Sequence, residues 1–287
     1  MEINQEIDLH SPYVYIDWNV VKYIKNPRAN KLALDMEFGE IVRKISKKKY
    51  RLPFSLAHIN DRINRFKPEY EMEVQGDLEF LEKITDGWVI GWSEELSRII
   101  LSKISPVRLF KQEILKQADN NEKNTLNQLL TNFFSSVDSY KNLRDRVMEF
   151  VKESTDRNNM EYSYLLKYMS PILDLLDVSD IEKLKAGWKD AVIQWSKMNS
   201  KEPLPIGLLL SNGYMLLDFH PLFKEGITEK NTLDNILRDE NHAFWGMGAE
   251  YFISEDKKTL KKIKFLYDAF EIKTKVLSMS QFVAVFS

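Results

Sequence analysis

Cysteine is absent from the 287 residues. That rules out a disulfide framework, a thiolate zinc site and a cysteine nucleophile, and it fits a reducing compartment. No run of about 18 apolar residues occurs, so no membrane span and no membrane partner are expected. The opening Met-Glu-Ile-Asn-Gln-Glu-Ile-Asp lacks the apolar core of a secretory signal, so a cytoplasmic location is expected. There is no internal repeat and no low-complexity tract. Charge of one sign is not in excess either. Forty-one Lys and Arg face 43 Asp and Glu, a net charge of −2, so no global positive field draws in nucleic acid. A local basic stripe would be enough for that. The chain is 44% hydrophobic, ample for a buried core, and its length suits one large domain or two small ones.

Tyr13-Val14-Tyr15-Ile16 reads as a strand and is followed at once by Asp17. Residues 28–47 carry Leu32, Leu34, Met36, Phe38, Ile41, Val42 and Ile45, mostly at helical spacing. Tyr50 to Ser55 reads as a second short strand, with Pro53 allowed near an end or edge. A helix from about Leu56 to Phe66 stops before Pro68. This β-α-β-α order predicts a parallel sheet with crossover helices. From about 69 to 230 helical periodicity dominates, with apolar stripes over 126–137, 140–151 and 164–176 and a kink expected at Pro171. Val89 to Trp92 fits a short strand or a turn. Residues 200–207 read as a linker. The alternation then resumes with a helix over 231–247, a strand over 251–254, a helix over 257–270 and a strand from Ile272 to Leu277. The expected organisation is an α/β domain built from 1–68 plus 231–287, interrupted by a mainly helical insertion over 69–230.

The stretch Asp239 to Asp256 is the most informative. It reads as a helix carrying an acid, then the apolar strand Tyr251-Phe252-Ile253, then a second acid. Open α/β sheets place ligand-binding groups at the carboxyl ends of their strands. Asp17 and Asp256 both follow such strands, which suggests one acidic pocket able to take a divalent cation. Taken singly, each feature has a plainer reading. An acid after a strand is commonly a helix N-cap. His58 and His242 read as structural histidines, Trp18 and Trp245 as core or pocket wall, and lysine runs as solvated faces.

Four local patterns fall together. Asp17-Trp18-Asn19 places a small polar residue two positions after the strand-end acid. Ser55 closes the second strand, and Asp61 follows about two helical turns later. Asp239 is followed three residues on by His242. Ala249 to Ser254 is an apolar strand closed by a serine, and Asp256 follows it. In these patterns the chain resembles the PIN-domain nucleases, a family of toxin ribonucleases and RNA-processing endonucleases. The resemblance covers residues 11–67 and 232–285.

That resemblance implies a PIN-like three-layer α/β fold with a central parallel sheet, interrupted here by a large all-helical insertion. It implies a Mg2+- or Mn2+-dependent endonuclease that hydrolyses phosphodiester bonds and leaves a 5′-phosphate and a 3′-hydroxyl, with RNA favoured over DNA. Asp17, Asp239 and Asp256 would hold the metal directly or through water. Asp61 would take the outer side of the cluster, binding a second metal or orienting the attacking water. Asn19 and Ser254 would position water or a phosphate oxygen, and His242 would orient a carboxylate or touch the scissile phosphate. A dication offsets the repulsion among crowded carboxylates and neutralises charge developing on the phosphorus centre. Two basic clusters would supply phosphate contacts without sequence preference: Lys47, Lys48, Lys49 and Arg51 with Arg43 and Lys44, and Lys257, Lys258 and Lys262 with Lys261 and Lys264. The helical insertion would cap the site, select substrate or hold an inhibitor or regulatory protein, and a homo-oligomer stays open. A toxin or defence effector is among the roles the resemblance implies. Two other readings remain: a PIN-like scaffold that binds RNA or protein without cutting, and a nuclease acting on DNA structures.

Overall fold

The computed structural model describes residues 7–8, 11–63, 66–93, 98–119, 163–199, 204–225 and 233–286. Its elements in chain order begin with β1 (Ile7–Asp8), β2 (Val14–Ile16), α1 (Trp18–Lys25), α2 (Leu32–Ser46), α3 (Leu56–Ile63) and α4 (Glu71–Thr85). Next come β3 (Trp88–Ser93), β4 (Arg98–Lys103), α5 (Pro106–Asp119), α6 (Ser163–Leu176), α7 (Ile181–Asn199) and α8 (Ile206–Leu217). The last are α9 (Leu233–Gly246), β5 (Tyr251–Ile253), α10 (Lys257–Ala269), β6 (Lys275–Leu277) and α11 (Met279–Phe286). The chain divides into two compact units. The first comprises Met1–Lys123, Trp245–Leu260 and Lys273–Ser287; the second comprises Asn124–Phe244 and Lys261–Ile272.

In the first unit, β2, β5 and β6 form a parallel sheet in the order β2-β5-β6. Val14 pairs with Tyr251, Tyr15 with Phe252 and Ile16 with Ile253. On the far side of β5, Tyr251 pairs with Lys275 and Ile253 with Leu277. All six residues of β2 and β5 are buried. Continuous β-branched and aromatic runs are what a parallel strand covered on both faces requires. One face packs on α2 and α11, where the Phe282 ring lies 5.5 Å from both Phe38 and Tyr251.

The segment expected as a second strand does not form one. It makes two single parallel bridges, Tyr13 with Arg51 and Phe54 with Val89. Arg51 N–H donates to Pro12 O and Phe54 N–H donates to Trp88 O. Pro53 lies between them and has no N–H to give, so the ladder cannot run through. The segment still joins the parallel sheet to an antiparallel one of order β1-β4-β3.

That antiparallel sheet corrects the expectation of a purely helical stretch after residue 69. Val89 to Trp92 belongs to β3, which pairs with β4 from Trp88↔Lys103 to Ser93↔Arg98. The apolar core of β4, Ile99-Ile100-Leu101, is too short for periodicity to separate strand from helix. Asp86 (φ 52°) closes α4 in the left-handed region and Gly87 (φ 71°) follows, turning the chain into β3. The sequence boundary at residue 68 therefore falls inside the first unit. Residues 69–119 contribute two helices and a strand pair to it.

The second unit is helical in its described residues. The apolar stripes at 126–137 and 140–151 lie outside the described residues, as do 200–203 of the linker. Pro171 lies within α6. Trp188 and Tyr214 are fully buried. His220 Nε2 donates to the carbonyls of Leu175 and Val178, and its Nδ1 accepts the Leu222 N–H. Burial holds its pKa below the usual imidazole value. Among the described residues no helix is long and apolar enough to cross a membrane.

Lys262 is a correction. Grouped by sequence with the nucleic-acid lysines, it is only 1% exposed, and its Nζ lies 2.6 Å from Glu225 Oε1 and 3.4 Å from Asp218 Oδ1. The Glu225 N–H also donates to Asp218 Oδ1. A cation enclosed by two buried carboxylates has no phosphate to reach, and it is needed to offset their charge. Lys262→Met should therefore destabilise the protein by about 3–5 kcal/mol, read as a lowered denaturant midpoint, because two carboxylates lose their shared cation.

Candidate functional site

Strand pairing carries Asp17 and Ser254 to the same end of the sheet. The ladder closes with the Asp17 N–H donating to Ile253 O at 2.9 Å. Asp17 is 4% exposed and stands at the N-cap of α1. Its carbonyl accepts the N–H groups of Val20 and Val21, yet its carboxylate makes no cap hydrogen bond. Instead Asp17 Oδ2 accepts the Ser254 hydroxyl at 2.7 Å. Ser254 is fully buried, and its Oγ accepts the Asp256 N–H at 3.1 Å. One hydroxyl thus ties the end of β2 to the turn after β5.

Asp256 behaves differently. It is exposed, and its Oδ1 accepts the N–H groups of Lys258 (2.8 Å) and Thr259 (3.0 Å). This is an N-cap on α10, placed where the helix dipole favours a negative charge. The plainer reading of a strand-end acid therefore describes Asp256 and does not describe Asp17.

Glu255, between them in sequence, is held by three partners. Its Oε2 takes Arg28 Nη1 at 3.1 Å and Lys31 Nζ at 3.0 Å, and its Oε1 accepts the Met279 N–H that opens α11. Arg28 also grips the buried Asp35 through its backbone N–H, Nε and Nη2. Burial alone would raise both carboxyls, but the partners outweigh it: Arg28 holds Asp35, and Lys31 with Arg28 holds Glu255, below the ordinary carboxylate range. These residues fix the turn that carries Ser254 and Asp256. Nothing in the sequence pattern singles them out, because the partners are brought together only by the fold.

His58 fixes the other strand end. Its Nδ1 accepts the Ser55 N–H at 3.1 Å, which leaves Nε2–H to donate to Ile16 O at 2.7 Å. Ser55 Oγ shares a hydrogen with Tyr15 at 2.8 Å. His58 is thus structural, as its plainer reading has it.

The remaining candidates stand on several elements. Asn19 is half-buried in the first turn of α1. Asp61 is buried near the end of α3, beside Arg62, which donates to Asp77 at 2.7 Å. In the second unit, Asp239 is half-buried on α9 and His242 is buried one turn later. Their neighbour Glu240 is pushed above the usual carboxylate range by burial, which outweighs a hydrogen bond from Ser211. Lys257 and Lys258 are exposed beside Asp256. Lys47, Lys48 and Lys49 are exposed too, but α2 runs back along the sheet, so they lie where Tyr50 and Arg51 meet the starts of β2 and β5. That is the opposite end of the strands from Asp17, so they do not border the acids. Arg51 is half-buried over the Trp88 ring.

Among the described residues, no group of three or more His, Cys, Asp or Glu side chains is arranged to hold one metal ion. The groups gathered at the strand ends are oxygen donors from Asp17, Ser254 and Asp256. Magnesium and manganese prefer oxygen, and magnesium binds through one or two carboxylates while keeping water and substrate phosphate as further ligands. The donor set fits such a water-rich site and does not form an all-protein cage.

The lowered carboxyls of Asp35 and Glu255 set an acid limit on stability. The unfolded chain takes up protons first, so their contribution is fully present above about pH 4–5 and is lost as pH falls through their lowered folded values. Arg28→Ala should cost about 3 kcal/mol at neutral pH and flatten the acid limb of the stability curve, read by urea unfolding across pH. No family model, no curated protein and no solved structure matches this chain.

Proposed function

We propose that the chain is a metal-dependent, PIN-like endonuclease that hydrolyses phosphodiester bonds, with RNA as the favoured substrate. One observation carries the reading: the Asp17 carboxylate stands at a helix N-cap, makes no cap bond, and is oriented by Ser254 at the carboxyl ends of two parallel strands. A buried acid turned away from its local structural use is the kind of group that functional sites retain.

Asp17 and Asp256 would hold Mg2+ or Mn2+, which when bound supplies positive charge against the negative charge that develops on the phosphodiester. Ser254 fixes the Asp17 carboxylate by donating to Oδ2 and sets the Asp256 backbone by accepting its N–H. Asn19 offers an amide, near the start of α1, that can donate to a phosphate oxygen or position water. Lys257 and Lys258 place two exposed cations beside Asp256, suited to phosphates flanking the cleaved bond. Asp61, Asp239 and His242 enter this reading through the sequence resemblance alone.

The competing scaffold reading is favoured by the cap bonds of Asp256, which account for that side chain without catalysis. Cleavage of labelled RNA in Mn2+ separates the two. Asp17→Asn, isosteric and uncharged, should lower the rate about a thousandfold, equivalent to about 4 kcal/mol of transition-state stabilisation, while circular dichroism stays native. Equal rates for wild type and Asp17→Asn would remove the nuclease reading from this site. RNA binding without cutting in either metal would favour the scaffold.

A further inference from the structure

The end of the strands opposite Asp17 carries a row of cations laid over aromatic rings. Lys275, which starts β6 and pairs with Tyr251, has its Nζ 5.3 Å from the Tyr251 ring. The Tyr251 ring lies 6.0 Å from that of Tyr50, and Lys49 Nζ sits 4.7 Å over Tyr50. Arg51 lies 4.5 Å over Trp88, and Lys103, paired with Trp88 across the strands, lies 5.0 Å from the same ring. Lys47 and Lys48, both exposed, stand next to Lys49 at the end of α2. Asp86 is taken by Lys103, while Glu250 accepts the neutral Tyr50 hydroxyl and keeps its charge near Lys49. Lys47, Lys48, Lys49 and Lys275 are left as exposed positive charge on a chain whose net charge is −2.

We infer that this edge is an exosite for the phosphate backbone of single-stranded RNA. It deepens the proposed nuclease function and rests on RNA being its substrate. The row crosses β6, β5, β2, the connector at 51–54, β3 and β4, about 24 Å at the usual strand spacing. A linear array of cations backed by rings suits a linear polyanion, since flexible single strands are held by positive tracks that follow their backbone. A cation over an aromatic face keeps its charge while its stem is held, so less side-chain freedom is lost when a phosphate binds. Asp17 lies the length of β2, about 10 Å, from the strand starts that carry Lys49 and Lys275, so these two cations meet phosphates away from the cleaved bond.

The test reads binding, with EDTA present so that no cleavage intervenes. Anisotropy of a fluorescein-labelled 20-nucleotide oligo(U) is followed from 50 to 200 mM salt. The triple variant Lys47→Gln, Lys48→Gln, Lys49→Gln should flatten the slope of log Kd against log salt by about 2 and weaken binding about tenfold at 100 mM. A charge-matched control, Lys67→Gln, Lys83→Gln, Lys111→Gln, removes three exposed lysines from other surfaces and should leave the slope unchanged. No change in the first variant, or equal flattening in both, overturns the exosite. So does loss of binding to phosphatidylserine vesicles with RNA binding intact. If wild type never cuts RNA yet the first variant alone loses slope, the exosite stands and the nuclease reading falls.

Discussion

The pairing of β2 with β5 is the constraint on which the site depends. Two strands of three residues each, their partners 237 positions apart, bring Asp17 and Ser254 into hydrogen-bond contact. Closing a loop of that length costs about 5 kcal/mol plus a constant, which a few ladder bonds cannot offset alone. The rest comes from burial. Val14, Tyr15 and Phe252 are fully shielded, and α2 and α11 cover one face with interlocking rings. Clamps at the strand ends add precision: His58 holds Ile16, Ser254 holds Asp17, and Arg28 with Lys31 holds Glu255. In each of these clamps the partner comes from a distant part of the chain.

The two strand-end acids show how a shared pattern can hide different physical roles. Asp256 follows its strand by two intervening residues, enough slack to turn back and cap α10. Asp17 follows its strand with none. Its backbone is committed to both the ladder and the first helical turn, and its side chain is left pointing across to β5. Backbone geometry alone thus separates a capping acid from one turned toward the neighbouring strand, although both read alike in sequence.

Much of the secondary structure was legible for a simple reason. Strands buried on both faces must be apolar throughout, and long helices must repeat at 3.6 residues, so β2, β5, α2 and α10 stood where composition put them. Pro53 is tolerable at a strand end, but its missing N–H interrupts the ladder here. β4 escaped because Ile99-Ile100-Leu101 fits either period, and without that partner Val89 to Trp92 read equally as strand or turn. The lysines escaped for another reason. Lys262 and Lys258 differ by four positions, yet one is enclosed by Glu225 and Asp218 and the other faces water. Charge runs in sequence carry no record of which face they occupy. The return path of α2 that sends Lys47 to Lys49 to the far edge is a property of the crossover, not of those residues.

The distance along the chain between Asp17 and its serine has a consequence for biosynthesis. A ribosome adding 5–20 residues per second needs about 12–47 s to travel from one to the other. Throughout that interval the nascent polypeptide carries the first acid with its parallel neighbour not yet made. Any activity that requires both strand ends is therefore withheld until β5 and Ser254 have been translated, and a product truncated before them never acquires it.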